Sequence, residues 1–313
     1  MYGQFFILFG LILVGYYCNK KGYLPMETNK NVGNMVMRVT IPAMLITTIA
    51  GIEITDRVLK AFLFSAAGQA AMMILFGFLM RQYGRKRGLD SRLLPMIDLT
   101  TGSLNTGFIG LPVTMIFFGQ AGIIYMSAGV LALNLYIWTY GVYVISDKKA
   151  TGAAAIGKSF LQGAINPNCI SILLGLLLAV THTARFVPTV VFGFLTKVGD
   201  LSTPLSLIYI GALAGGIVQL FKEKMALEIS VVKMIGMPAL AILAMLFIPA
   251  DGLAKSVFLL SVCMPSAAVV PVMVGRYGYG DKMSSDIVLW TTVLSMATLP
   301  LSVLLAAKLY GAV

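Results

Sequence analysis

The sequence predicts an all-α polytopic membrane protein: ten transmembrane helices in a five-plus-five inverted repeat, with the fourth and ninth spans broken. Three observations predict it. The 313 residues are 58% hydrophobic and only 11% charged, with a mean hydropathy of +0.90, far from the roughly one-quarter charged of soluble domains. Apolar runs of about 20 residues, enough to cross ~30 Å of hydrocarbon, recur along the whole length. Two of those runs are interrupted midway by Gly, Pro and small polar residues, at positions that superpose when the two halves are aligned. A β-barrel is excluded, because barrel strands alternate polar and apolar residues over roughly 10 positions.

The spans fall near 3–19, 31–50, 58–80, 93–118, 121–145, 165–182, 198–218, 227–248, 254–275 and 284–307. Loops then alternate in charge. Those following the odd-numbered spans hold fifteen Lys and Arg, including Arg81, Arg85, Lys86, Arg87 and Arg92, and the opposite side holds five. The fifteen mark the cytoplasm, which puts both termini on the outer side of the cell (inner) membrane. The net charge of +11 is thereby a topology signal, with lipid and not nucleic acid as the surrounding partner. Cys18, Cys169 and Cys263 all lie in apolar runs and read as small hydrophobes, with no disulfide, metal or cofactor expected. The first run lacks a basic leader and a small-residue cleavage site, so it reads as the first span.

The loop 146–164, with "KKATGAAAIGK", divides the chain into a first repeat (1–145) and a second (165–313). Five spans before it mean that the second half starts from the opposite side of the membrane. "RVTIPAMLI" (38–46) aligns with "DLSTPLSLI" (200–208), and "LPVTMIFFG" (111–119) with "VPVMVGRYG" (270–278). "FGLILV" (9–14) likewise echoes "LGLLLA" (174–179). The offsets drift smoothly from 165 to 162 to 159, and Pro42, Pro112 and Gly119 fall on Pro204, Pro271 and Gly278. Such repeats mark secondary transporters.

In that register "LNTGFIGLP" (104–112) lies over "CMPSAAVVP" (263–271), and Thr106 over Pro265. Proline removes a backbone donor and clashes with the preceding turn, and glycine lowers the cost of leaving helical geometry. Bare peptide groups in hydrocarbon cost several kcal/mol each, so a break survives only inside protein or beside a wet cavity. One break alone reads equally as a simple proline kink or as a functional interruption. Two at related positions point to a transport site. Freed half-helix N-termini suit an anion, so a carboxylate substrate is expected. The substrate-binding candidates are Asn105, Thr106, Pro112, Asn134, Pro265 and Ser266.

With these residues in view, the chain resembles the auxin efflux carrier family in its bacterial permease branch. "NTGFIGLP" (105–112) and "MPSAAVVPVMVGRYG" (264–278) resemble the family's two crossover motifs. "NPNCISILLGLLL" (166–178), "VGDLSTPLSLIYIGALAGG" (198–216) and "SSDIVLWTTVLSMATLPL" (284–301) are similar to its sixth, seventh and tenth spans. The resemblance implies a fold shared with bile-acid sodium symporters, with two crossed broken helices. It further implies a transport domain from spans 3–5 and 8–10, a scaffold from spans 1, 2, 6 and 7, and elevator-type transport of organic anions such as malate, malonate, lactate or auxin-like acids. Plant members carry an acidic residue and a lysine on the third span, where this chain offers Gln69 alone.

Ionisable residues inside spans are functional candidates. Asp98 lies two helical turns before Asn105 and is the proton-coupling candidate, with pairing to Arg92 or solvent as the alternative. Arg38 would meet a substrate carboxylate or snorkel toward the cytoplasm; Gln69 completes the coupling candidates, and Lys233 reads as snorkelling. Tyr136, Trp138 and Tyr140 read as an interfacial aromatic belt, and His182 as a solvated loop residue. Gly211 and Gly215 permit close helix contact, inside the fold or across a homodimer. An enzyme is not expected: there is one histidine, and neither HExxH nor GxSxG nor a suitable carboxylate pair. The competing readings are a sodium-coupled symporter of the bile-acid type, or a channel or sensor on the same scaffold.

Overall fold

A computed structural model describes residues 2–145, 165–215, 224–245, 251–279 and 281–311; the linker 146–164 lies outside them. Every regular element among the described residues is helical. Seven helical runs are long and apolar enough to cross a membrane, and two shorter apolar helices, Pro167–Val180 and Gly252–Val262, accompany them. The run Leu94–Ile145, at 52 residues, spans about 78 Å at 1.5 Å per residue, more than twice a bilayer core. Gly119, at φ 61° and ψ −159°, divides it.

Helix α1 (Tyr2–Lys20) is followed by α2 (Met26–Met35), a π-turn at Val36–Thr40 and α3 (Ile41–Ala50). Helix α4 (Asp56–Lys86) starts where the Thr55 side chain accepts from Val58 N at 3.3 Å, with Asp56 in its first turn; both choices suit a helix N-terminus. Helix α5 (Leu94–Gly102) stops at the first break, and a π-turn at Thr106–Gly110 leads into α6 (Leu111–Leu135). A further π-turn, Tyr136–Gly141, joins α7 (Val142–Ile145). In the second half, α8 (Pro167–Val180) is capped by Asn166, and α9 (Thr189–Asp200) and α10 (Ser202–Gly215) meet at Leu201. Helix α11 (Lys224–Met245) precedes α12 (Gly252–Val262), whose cap Asp251 accepts from Ala254 N at 2.7 Å. The second break then separates α12 from α13 (Val270–Arg276), and α14 (Asp281–Tyr310) closes the chain.

Two kinds of packing organise these helices. α1 lies along α10 and α3 along α8, while α4 packs on α5 and α6, and α14 on α11 and α12. The first pairing depends on glycine. A Cβ at Gly211 would lie 2.7 Å from the Ile12 carbonyl carbon, and one at Gly15 would lie 2.7 Å from that of Ile208. The Gly211/Gly215 pair therefore serves a contact inside the fold, against Ile12 and Asn19 of α1. Large apolar side chains stand exposed on the outer faces, such as Phe6 on α1, Val190 on α9 and Ile235 on α11, as expected where hydrocarbon is the solvent.

Candidate functional site

The two breaks meet. Residues 103–105 leave helical geometry after α5, with Ser103 extended at ψ 148° and Asn105 at ψ 56°. Residues 263–269 do the same between α12 and α13. Their freed backbone groups satisfy one another across the gap, as buried peptide groups must. Asn105 N–H donates to Pro265 O at 2.8 Å. Ala267 N–H donates to the Ser103 hydroxyl at 3.1 Å, and Ser266 N–H to the Thr291 hydroxyl of α14 at 3.1 Å. The Asn105 side-chain oxygen accepts from Phe108 N at 3.3 Å, and its carbonyl from Ile109 and Gly110.

A cavity of about 360 Å³ opens onto this junction. Asn105, Gly107, Phe108, Ala267 and Ala268 form the end nearest the breaks, and Val130, Asn134, Trp138, Tyr209 and Thr292 line its sides. It extends to Lys30 and Asn34 on α2 and to Asn166, the cap of α8. Such a space, largely apolar with a few fixed amides, is the usual form of a small-ligand site. A second cavity, about 420 Å³, lies at the other end of the α2–α3 run. It is lined by Thr47, Thr48, Gln120, Asp200 and Thr203.

The structure brings most of the expected residues to the junction. Asn105 and Asn134 line the first cavity, and Asn134 also donates to Val130 O at 2.8 Å. Pro265 and Ser266 form the second break itself. Pro112 sits buried in the first turn of α6, directly after the π-turn. Thr106 is fully buried at the start of its π-turn, and its hydroxyl has no hydrogen-bond partner. Gln69 of α4 reaches the same region: its Nε2 donates to Ser65 Oγ at 3.0 Å, and its Oε1 is unpartnered beside Gly129. Arg38 does not line the cavity; it is exposed on the Val36–Thr40 turn.

Asp98 is fully buried, and neither Arg92 nor solvent, the alternative reading, is its partner. Tyr140 O–H donates to the carboxylate at 3.0 and 3.2 Å, and Arg81 of α4 stands 3.8 Å away. Tyr136 O–H donates to the Asp98 main-chain carbonyl at 3.2 Å. The two tyrosine rings stack at 5.3 Å between centroids. These aromatics are therefore interior polar contacts and a cavity wall, not an interfacial belt. His182 is the loop residue expected, in a left-handed conformation at φ 55°.

Lys233 is the residue that sequence reasoning missed. It does not snorkel: only 1% of it is exposed, and its ammonium donates to Ser103 O at 2.6 Å and to Ser266 Oγ at 2.8 Å. One side chain on α11 thus ties both breaks together. At the end of the α4–α11 packing, Glu228 accepts from Tyr83 O–H and from Arg87, the latter at 2.7 Å.

Comparison with known proteins places the chain among transporters. The family described as membrane transport protein matches residues 1–303. An uncharacterized transporter of Methanothermobacter thermautotrophicus is 24% identical over 294 residues, covering 93% of each chain. Another, of Methanocaldococcus jannaschii, is 25% identical over 298 residues, covering 93% of this chain and 94% of its own. The matched region contains both breaks, the residues that bridge them and the cavity that they close. The chain belongs to the membrane transport protein family, the family of the auxin efflux carriers.

Proposed function

We propose that the chain is a secondary carrier of small organic anions that binds a substrate carboxylate at the crossing of the two breaks. The observation that carries this reading is the cavity of about 360 Å³ ending on Asn105, Ala267 and Ala268. There the chain leaves the helix, and the helix start at Thr106 offers partial positive charge. Trp138, Phe108 and Val130 would receive the apolar body of the acid, and Asn105 and Asn134 its polar groups. Lys30 at the far end of the cavity would attract an anion from the cytoplasm.

Ten spans in two inverted halves form the proposed frame, with both termini outside. Gly119 and Gly278, superposed by the repeat, both take positive φ, 61° and 75°, which supports it. The pairings α1–α10 and α3–α8 support a scaffold from spans 1, 2, 6 and 7. The packing of α4–α6 and α11–α14 supports a moving transport domain, and a cavity at each end of the α2–α3 run supports alternating access by an elevator step. Asp98, buried with Tyr140 and Arg81, is the proposed proton-coupling group.

A thermal-shift screen of the purified protein tests the reading. A carboxylate that binds at 100 times its Kd stabilises the folded state by about 2.7 kcal/mol. Among malate, malonate, lactate and indole-3-acetate at least one is expected to raise the unfolding temperature in a saturable way. Neutral amide analogues are expected to do nothing. Equal shifts from acid and amide would contradict the anion site.

A further inference from the structure

We propose that Lys233 is a tethered cation, its ammonium filling the place between the two breaks that a bound metal ion would otherwise take. The carrier would thus hold its anion without a co-bound sodium. The proposal rests on the anion reading above for its second half only.

The placement is specific. Lys233 lies nine residues into α11, about 14 Å along the helix axis, and points into the protein. Its two acceptors, Ser103 O and Ser266 Oγ, are neutral oxygens from the two non-helical segments. A main-chain carbonyl released from a helix and a hydroxyl on unwound chain are the ligand types that a hard cation takes. Both acceptors are themselves held. Ser103 Oγ accepts from Ala267 N–H on the opposite break, and Ser266 N–H donates to Thr291. The ammonium thus closes a ring of hydrogen bonds that spans both breaks.

Charge completes the argument. No ion pair to Lys233 exists among the described residues, and its acceptors carry no formal charge. A buried charge normally has a countercharge, because taking an ion out of water is costly. Here the countercharge must be brought in. Ser266 adjoins the cavity-lining Ala267, and Ser103 lies two residues before the cavity-lining Asn105, so the ammonium is held by the same two segments that close the cavity, where an incoming carboxylate would neutralise it. An ammonium has three donors, and two of them fix the crossing.

The experiment uses the full chain and two variants, Lys233→Ala, which vacates the place, and Lys233→Met, which fills it without charge. Unfolding temperature is measured in choline, sodium and ammonium chloride, and then binding of malate, malonate, lactate and indole-3-acetate in each salt. The wild type is expected to unfold at the same temperature in sodium as in choline. Lys233→Ala is expected to unfold earlier and to recover in ammonium or methylammonium, whereas Lys233→Met does not respond to either. Anion binding is expected to be independent of sodium in the wild type, at least tenfold weaker in Lys233→Met, and partly restored by ammonium in Lys233→Ala.

Three results would overturn the proposal: tenfold tighter wild-type binding or a higher wild-type unfolding temperature in sodium, Lys233→Met binding within twofold of wild type, or Lys233→Ala unmoved by every small cation. The wild-type comparison needs no variant and decides even if neither variant folds. If no acid binds the wild type, the anion reading fails alone, and the ammonium response of Lys233→Ala still judges the tethered cation.

Discussion

Asn105 makes three contacts, and substitution can separate them. Its backbone N–H bridges to Pro265 O at 2.8 Å, its side-chain oxygen caps Phe108 N at 3.3 Å, and its side chain faces the cavity. Asn105→Ala keeps the bridge and loses the cap, at a cost of about 1 kcal/mol in stability. It also loses the amide donor toward the substrate. A hydrogen bond to a charged group contributes about 1.5–3 kcal/mol, which corresponds to a roughly 10- to 100-fold weaker Kd. Asn105→Asp keeps a good cap and nearly the same shape but sets a carboxylate against the anion. The expected pattern is a small loss of thermal stability in Asn105→Ala with weak binding, and near-normal stability in Asn105→Asp with no binding. Scintillation proximity or calorimetry with the acid found by thermal shift reads both. Binding by Asn105→Asp within threefold of wild type would refute the placement of the carboxylate at this junction.

Other consequences follow from close contacts in the fold. Gly211→Ala would force α1 and α10 apart, because the new Cβ meets the Ile12 backbone at 2.7 Å; overpacking of this kind costs about 1–3 kcal/mol, read as an earlier thermal transition. Unchanged stability with loss of a cross-linked dimer would instead assign the glycine pair to a dimer contact. Tyr140→Phe removes the hydroxyl that donates to Asp98 at 3.0 Å. A double-mutant cycle with Asp98→Asn should return a coupling of about 1 kcal/mol or more, and simple additivity would contradict that contact.

The breaks were legible because apolar text makes their residues conspicuous. Asn105, Thr106 and three prolines stand out in runs otherwise built of Leu, Ile, Val and Phe, and bilayer physics gives few reasons for them. Gly119 was legible as well, through its alignment with Gly278. Lys233 was not. A lysine two turns into a span has the same local sequence whether it snorkels or turns inward, and its acceptors lie 130 and 33 residues away. Asp98 shows the same limit. Its distance from Asn105 marked it, but the choice of Arg81 over Arg92 depends on how α4 packs against α5. Tyr136 and Tyr140, four residues apart, share a helix face; only the fold shows that this face meets Asp98 and not the lipid boundary. The cavity joins α2, α6, α8 and α10, so its amides Asn34 and Asn166 carried no signal in isolation.

Counterflow in proteoliposomes tests the central claim most directly. Vesicles containing the protein are preloaded with the unlabelled carboxylate identified by thermal shift and then diluted into trace labelled acid. A carrier that alternates between the two cavities predicts transient, saturable accumulation of label above its external concentration, lost in Asn105→Asp. Linear, non-saturating entry that preloading does not accelerate would contradict the account and assign the scaffold to a channel.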